Sequence, residues 1–261
     1  MSLPTLGVVF RPQSPPEALR EIVEAVDASS AAELWLWEDC FLEGGISTAA
    51  AALAWSRRVR VGIGLLPVPL RNPAVAAMEL ATLERLAPGR VIAGLGHGVQ
   101  DWMGQVGARA QSPMTLLSEY TAAVRALLAG ETVETAGRYV NLDRVALDWP
   151  PASAPELVLG ATRPKTLRLA GELADGVLLT GGTDADAVRA AAAIVAEGRA
   201  ASGRGGAARI IVYTELDPTR PKLRDAALAR AEELGAAGAD AVAFQATAEA
   251  PDPRPLLDAL D

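Results

Sequence analysis

Short continuous apolar runs alternate along the whole chain with longer stretches whose apolar positions recur at helical spacing. The runs are Leu6–Phe10, Glu33–Trp37, Val59–Leu66, Val91–Leu95, Glu156–Gly160, Asp175–Thr180, Arg209–Thr214 and Asp240–Phe244. They do not alternate apolar with polar, which is the pattern of strands covered on both faces, as in a parallel sheet wrapped by helices. Between them, Ala76, Leu80, Leu83 and Ala87 share one helix face, and Leu117, Tyr120, Val124 and Leu127 share another. Asn72-Pro73 and Ser112-Pro113 read as an N-cap followed by a first-turn proline, and Pro88-Gly89 ends the helix before the fourth strand.

Eight strands, each followed by a helical pattern, predict an α/β chain closed into a (β/α)8 TIM barrel, and 261 residues suit a single such domain over 1–261. A doubly wound open sheet is the alternative. Its Gly-x-Gly-x-x-Gly turn is missing, since Phe10 runs into Arg11-Pro12-Gln13. A short insert follows strand four. It has a loop from Gly96 to Ser112 and, further on, a stretch from Glu131 to Pro155 in which Arg138–Leu142 and Val145–Trp149 suggest a hairpin.

Composition narrows the chemistry. A net charge of −8 argues against nucleic acid as a partner. The single cysteine, Cys40, and single histidine, His97, leave no Cys or His cluster for a metal, so none is expected. The opening residues lack a signal-peptide pattern and no apolar run is long enough to span a bilayer, so a soluble cytoplasmic protein acting on a small molecule is expected.

In a barrel the reactive groups collect at the carboxyl ends of the strands. Strand two ends in Trp37, Glu38 and Asp39. Strand three ends in Gly64, Leu65, Leu66 and Pro67, and strand four in Gly94-Leu95-Gly96-His97-Gly98. Strand five ends in Gly160, Ala161, Thr162 and Arg163, and strand six in Thr180, Gly181 and Gly182. Small residues there let a ligand approach the backbone. Gly160 to Pro164 opens into a helix with Lys165 and Arg168 in its first turns. This reads either as an anion site at a helix N-terminus or as an ordinary βα turn. Glu38 and His97 are candidate acid–base groups; each also reads as a plain loop residue. Trp35 and Trp37 either wall a ligand or fill the barrel. Trp102 and Met103 either cover a ligand or anchor their loop. Ala174-Asp175-Gly176 and the stretch from Leu234 to Asp240 fall at the opposite end, where the default role is stability.

At these positions the chain resembles the bacterial-luciferase-like superfamily. The resemblance lies in Leu34-Trp35-Leu36-Trp37-Glu38-Asp39, Val59 through Pro67, Arg71-Asn72-Pro73-Ala74, Ala81 through Leu86, Gly89-Arg90-Val91, Gly94-Leu95-Gly96, Gly160-Ala161 with Pro164, and Leu169 through Gly176. It implies a barrel that binds coenzyme F420 or FMN, with a non-prolyl cis peptide at Gly64–Leu65 behind the cofactor ring. Gly160, Ala161, Thr162 and Arg163, with Gly96, Thr180, Gly181 and Gly182, would serve the rest of the cofactor. Gly-His-Gly-Val followed by Trp102 is most similar to the F420-dependent branch, which includes methylenetetrahydromethanopterin reductase-like proteins.

The family often has a histidine after the second-strand acid. This chain has Asp39 there, which moves the acid–base role to Glu38 and His97. It is also shorter than typical members after strand four, where the substrate pocket is commonly shaped, so no substrate is implied. Trp37, Asp39, Trp102 and Met103 would line or cover that pocket.

The expected activity is hydride transfer between reduced F420 and a small organic substrate. The rivals are an FMN-dependent monooxygenase, a sugar-phosphate lyase or isomerase, and a barrel that binds cofactor without turnover. The small-residue helix Ala49–Ala54 with Trp55 suits a homodimer contact or packing on the barrel wall.

Overall fold

The computed structural model describes residues 3–261. Eight parallel strands close into a barrel: β1 (Thr5–Phe10), β2 (Glu33–Leu36), β3 (Arg60–Pro67), β4 (Val91–Gly96), β7 (Glu156–Gly160), β8 (Gly176–Leu179), β9 (Arg209–Glu215) and β10 (Ala241–Gln245), with β10 pairing back to β1. β5 (Val133–Ala136) and β6 (Asn141–Val145) form a separate antiparallel pair. The helices are α1 (Leu19–Ala28), α2 (Gly45–Trp55), α3 (Pro73–Leu86), α4 (Gln100–Gln105), α5 (Pro113–Leu128), α6 (Pro164–Leu173), α7 (Ala185–Ala201), α8 (Leu223–Ala236) and α9 (Arg254–Leu260). The expected (β/α)8 barrel is therefore the fold, and its strands begin and end within two residues of the apolar runs.

Asn72 caps α3 as its sequence suggests, its side chain accepting from the Ala74 N–H at 2.9 Å. Ser112 does not cap α5; its hydroxyl is paired with Thr115 Oγ1 at 2.8 Å. The insert after strand four holds α4 and, past α5, the hairpin. That hairpin pairs Val133–Ala136 with Asn141–Val145 rather than the later segments. Glu119 on α5 sets the turn by accepting the N–H groups of Arg138, Tyr139 and Val140. The segment near Trp149 runs into Pro150-Pro151, which carry no N–H for a ladder, and Trp149 lies exposed on the surface.

Two apolar clusters build the molecule. The larger lies between barrel and helices; Ala49 and Ala52 of α2 belong to it, so the small-residue helix packs on the barrel wall. The smaller fills the barrel and includes Val9, Trp35, Ile92, Val158, Leu178, Ile211 and Tyr213. Its two large aromatic rings fit because the facing positions are small. A Cβ on Gly62 would overlap the Trp35 indole, and Ala241 and Ala243 stand on β10.

An ionic plug closes the amino end of the barrel. Glu33, its side chain 1% exposed, accepts from Arg60 at 3.2 Å and Arg209 at 2.6 Å, and the same two arginines reach Glu156. Trp35 Nε1 donates to Glu33 from above at 3.1 Å. Asp175, at the same end, binds Arg125, Arg204 and the Leu157 N–H, which fits the stabilising role expected there. With the floor sealed, a ligand can approach only from the carboxyl end. Among the described residues no helix is long and apolar enough to cross a membrane.

Candidate active site

A cavity of about 390 Å³ opens at the carboxyl end, within the usual range of ~300–1,000 Å³ for small-ligand sites. The bulge in β3 shapes its base. The register between β3 and β4 shifts between Ile63 and Leu66, and the Gly64–Leu65 peptide is cis, as the family resemblance implied. A second non-prolyl cis peptide joins Cys40 and Phe41.

The bulge sends the Leu65 side chain across the barrel onto β4 and β7. A Cβ on Gly94 would overlap the Ile63 carbonyl oxygen and lie 2.9 Å from Leu65 Cδ2, one on Gly96 would lie 2.7 Å from Cδ1, and one on Gly160 would overlap Cδ1. These strand-end glycines read as room for a ligand. Here the room is taken by Leu65, which becomes an apolar shelf under the cavity. Gly64 behaves likewise: the place of its Cβ is held by Tyr213 Oη and Leu178. Gly96 accordingly supports the shelf and does not line the cavity.

At one end of the cavity stand Ala161, Thr162, Arg163 and Thr166, with Thr180 and Gly181 beside them. α6 begins there with no side-chain cap, so the N–H groups of its first turn after Pro164 are left without a side-chain acceptor from Arg163. Ala161's own N–H is used by Leu178 O. Gly182 departs from expectation: it turns away at φ +84° and borders a separate depression with Arg220 and Arg230.

His97 lines the cavity half-buried, its Nε2 3.5 Å from Thr166 Oγ1. Burial lowers its pKa, and a hydrogen bond to the Pro113 carbonyl only partly offsets this, so the ring is neutral at pH 7. Trp102 lines the cavity as expected. Met103 does not; it is fully buried, and a Cβ on Gly98 would lie 2.8 Å from its sulfur. It anchors the loop rather than covering a ligand.

Glu38 lines the wall, but its carboxylate is engaged. Arg71 grips both oxygens, and the Gly45 N–H at the start of α2 donates to Oε2 at 2.8 Å. The side chain is 8% exposed. This is the geometry of a cap and ion pair that fix the loop after β2, and it does not suit the proton delivery expected of Glu38. Asp39 faces the cavity more freely. Burial raises its pKa, and the nearby Arg11 partly offsets that. Its backbone bridges to Glu43, whose carboxyl oxygens are sealed without a partner. Burial, then repulsion from Asp39, pushes the Glu43 pKa up to about 7.

Three groups outside the expected set complete the site: Tyr213, Gln245 and Thr166. Tyr213 shares strand parity with Arg209 and Ile211. Inward alternation along β9 points to it. Trp37, His97, Tyr213 and Gln245 line this one cavity, and their Nε1, Nδ1, Oη and Oε1 atoms are sealed beneath its surface without a well-formed hydrogen bond. Buried polar atoms left bare are costly, so a ligand with several heteroatoms fits. A flat apolar shelf ringed by such atoms suits a planar heteroaromatic cofactor.

A family model described as luciferase-like monooxygenase matches residues 4–254. The chain belongs to that family. Among curated members, methylenetetrahydromethanopterin reductase from Methanolobus tindarius is 29% identical over 67% of this chain and 53% of its own length. The enzyme of that name from Archaeoglobus fulgidus is 27% identical over 85% of this chain and 67% of its own. A phthiodiolone/phenolphthiodiolone dimycocerosates ketoreductase from Mycobacterium kansasii is 34% identical over 71% and 51%. The chain thus spans about half to two-thirds of the length of these relatives. Among solved structures, coenzyme F420-dependent tetrahydromethanopterin reductase from Methanopyrus kandleri superposes with a TM-score of 0.81 at 17% identity, covering 99% of this chain and 98% of that one. The FMN complex of 3,6-diketocamphane monooxygenase from Pseudomonas putida gives 0.78 at 15%, covering 98% and 95%. These family neighbours share the barrel.

Proposed function

We propose that the chain is an F420-dependent oxidoreductase that moves hydride between the reduced deazaflavin and a small organic substrate. The Leu65 shelf carries this reading, because it offers one flat apolar face ringed by unpartnered polar atoms. The F420-dependent names among the relatives support it. Bound there, a reduced deazaflavin supplies the hydride.

The protein's own part is placement. Gly64 and Leu65 would support the ring. The open start of α6, with Thr162, Arg163, Thr180 and Gly181, would take the phosphate side. Neutral His97 lines the cavity, its Nε2 toward Thr166. The sealed floor keeps water from reaching the reacting face from below.

Titration with F420 and with FMN, read by fluorescence quenching, tests the reading. Saturable F420 binding that Leu65→Asp abolishes is expected. Tight FMN binding without F420 affinity would favour the monooxygenase instead. Binding of F420 without reductase activity across a substrate panel would favour a cofactor-carrying barrel.

A further inference from the structure

The loop after β2 is turned inside out. Phe41 and Leu42 at its tip are 67% and 55% exposed, while both carboxyl oxygens of the adjacent Glu43 are sealed from water without a hydrogen-bond partner. A sealed carboxyl beside exposed apolar side chains reverses the burial pattern of the rest of the chain, and the two faults fall on neighbouring residues. We infer that residues 39–44 form a proton-linked wall of the cavity with two arrangements. In one, Glu43 is protonated and sealed; in the other, ionised Glu43 turns out to water and Leu42 takes its place inside. This holds whichever cofactor the cavity takes.

The loop can rearrange as a unit because its two ends are tied to each other. The Glu38 carboxylate, held by Arg71, accepts the Gly45 N–H at 2.8 Å. A change between these anchors leaves β2 and α2 in place. Within the loop, the Leu42 N–H donates to the Asp39 carbonyl at 2.8 Å, and Asp39 bridges to Glu43 as a short antiparallel pair. Neighbours along extended backbone point to opposite sides, so turning Glu43 outward turns Leu42 inward. Gly44, next in the chain, has no Cβ to resist the turn.

Among the described residues no cation pairs with Glu43. Arg11, which acts on Asp39, is held by Glu215, the Ala246 carbonyl and Gln13. Arg71 is held by Glu38 and Glu79. The Cys40 thiol is pushed up by burial, then by Glu38 and Asp39, so it stays uncharged while Glu43 titrates. Asp39 is the charged group that acts on Glu43. Ionised where it stands, Glu43 would meet a like charge in a dry place, and the outward turn relieves both. Asp39 lines the cavity, so the exchange redraws that wall. The coupling is reciprocal: a ligand seated against Asp39 shifts the titration of Glu43.

The methyl resonances of Leu42, identified with Leu42→Ile, report the exchange through their relaxation by a neutral gadolinium chelate in solution. Sealed Glu43 titrates at about 7, and turned out to water it returns to its ordinary 4.5, so the outward turn releases a proton and is favoured as pH rises. In the wild-type protein the relaxation enhancement at Leu42 should fall about threefold or more between about pH 5 and about pH 8. Glu43→Gln, which cannot ionise, should hold the enhancement level. The methyls of Leu95, fully buried on β4, should stay unenhanced throughout and show the barrel intact.

A wild-type enhancement that stays level overturns the inference, because Glu43 then ionises where it stands. An equal fall in Glu43→Gln also overturns it, because another group then drives the change. A second check needs no variant of Glu43. The ¹³C titration of the Glu43 carboxyl in the wild-type protein should share its midpoint with the Leu42 transition, and midpoints more than about one pH unit apart separate the two events and sink the coupling.

Discussion

Replacing Gly160 with alanine tests the shelf directly. The new methyl would overlap Leu65 Cδ1 and approach Cδ2 and Cγ at 3.1 Å each. Leu65 has little room to retreat, because its methyls already fill the places of absent Cβ atoms at Gly94 and Gly96. The isobutyl group must leave the shelf or push β7 outward. Overpacking of this kind costs about 1–3 kcal/mol. Leu65→Ala alone removes a half-buried side chain and should cost about 1–2 kcal/mol, below the range for fully buried leucines.

The informative protein is the double variant. With Leu65 truncated, the Gly160→Ala methyl enters vacated space. The backbone there has no positive φ, so alanine also carries the usual unfolded-state advantage of about 0.4–1 kcal/mol over glycine. Gly160→Ala should then be neutral or stabilising in the Leu65→Ala background, giving a coupling of about 1–3 kcal/mol. Urea denaturation of the four proteins, followed by tryptophan fluorescence, measures it. Costs that add to within about 0.5 kcal/mol would refute the claim that these glycines exist to seat Leu65.

Glu38→Gln breaks the grip on Arg71 but keeps a partner for Gly45. It should cost about 1–3 kcal/mol in urea while leaving F420 affinity within about twofold. Full stability with a large loss of turnover would return Glu38 to the chemistry. Glu43 gives a pH signature. Its folded pKa of about 7 lies above its reference value of 4.5, so the native state holds more protons between those values. Its contribution to stability is fully present below about pH 4.5 and is lost as pH rises through about 7. Glu43→Gln should remove that slope, seen as a wild-type-minus-variant difference in urea midpoint that falls between about pH 5 and about pH 8. A difference that stays flat would mean the carboxyl is solvated.

The barrel was legible because burial on both faces turns each strand into an unbroken apolar run, and because Pro and Gly mark the turns. The hairpin was misplaced because β5 and β6 are shallow, mostly exposed strands with little apolar pattern, set by a distant carboxylate, Glu119. The site was legible by position and less so by role. Glycines at three strand ends signalled space, and the space is real. A sequence shows a missing Cβ but not which distant side chain fills its place, so Leu65 and Tyr213 went unseen as occupants.

The same blindness affects charge. Glu38 reads as a free acid until Arg71, on the far side of β3, closes on it, and Arg11 reads as a free cation until Glu215 closes on it from the other end of the chain. Once those pairs are made, the carboxylate left facing the cavity is that of Asp39. That redistribution leaves neither Glu38 nor Arg11 free to meet a ligand's charge.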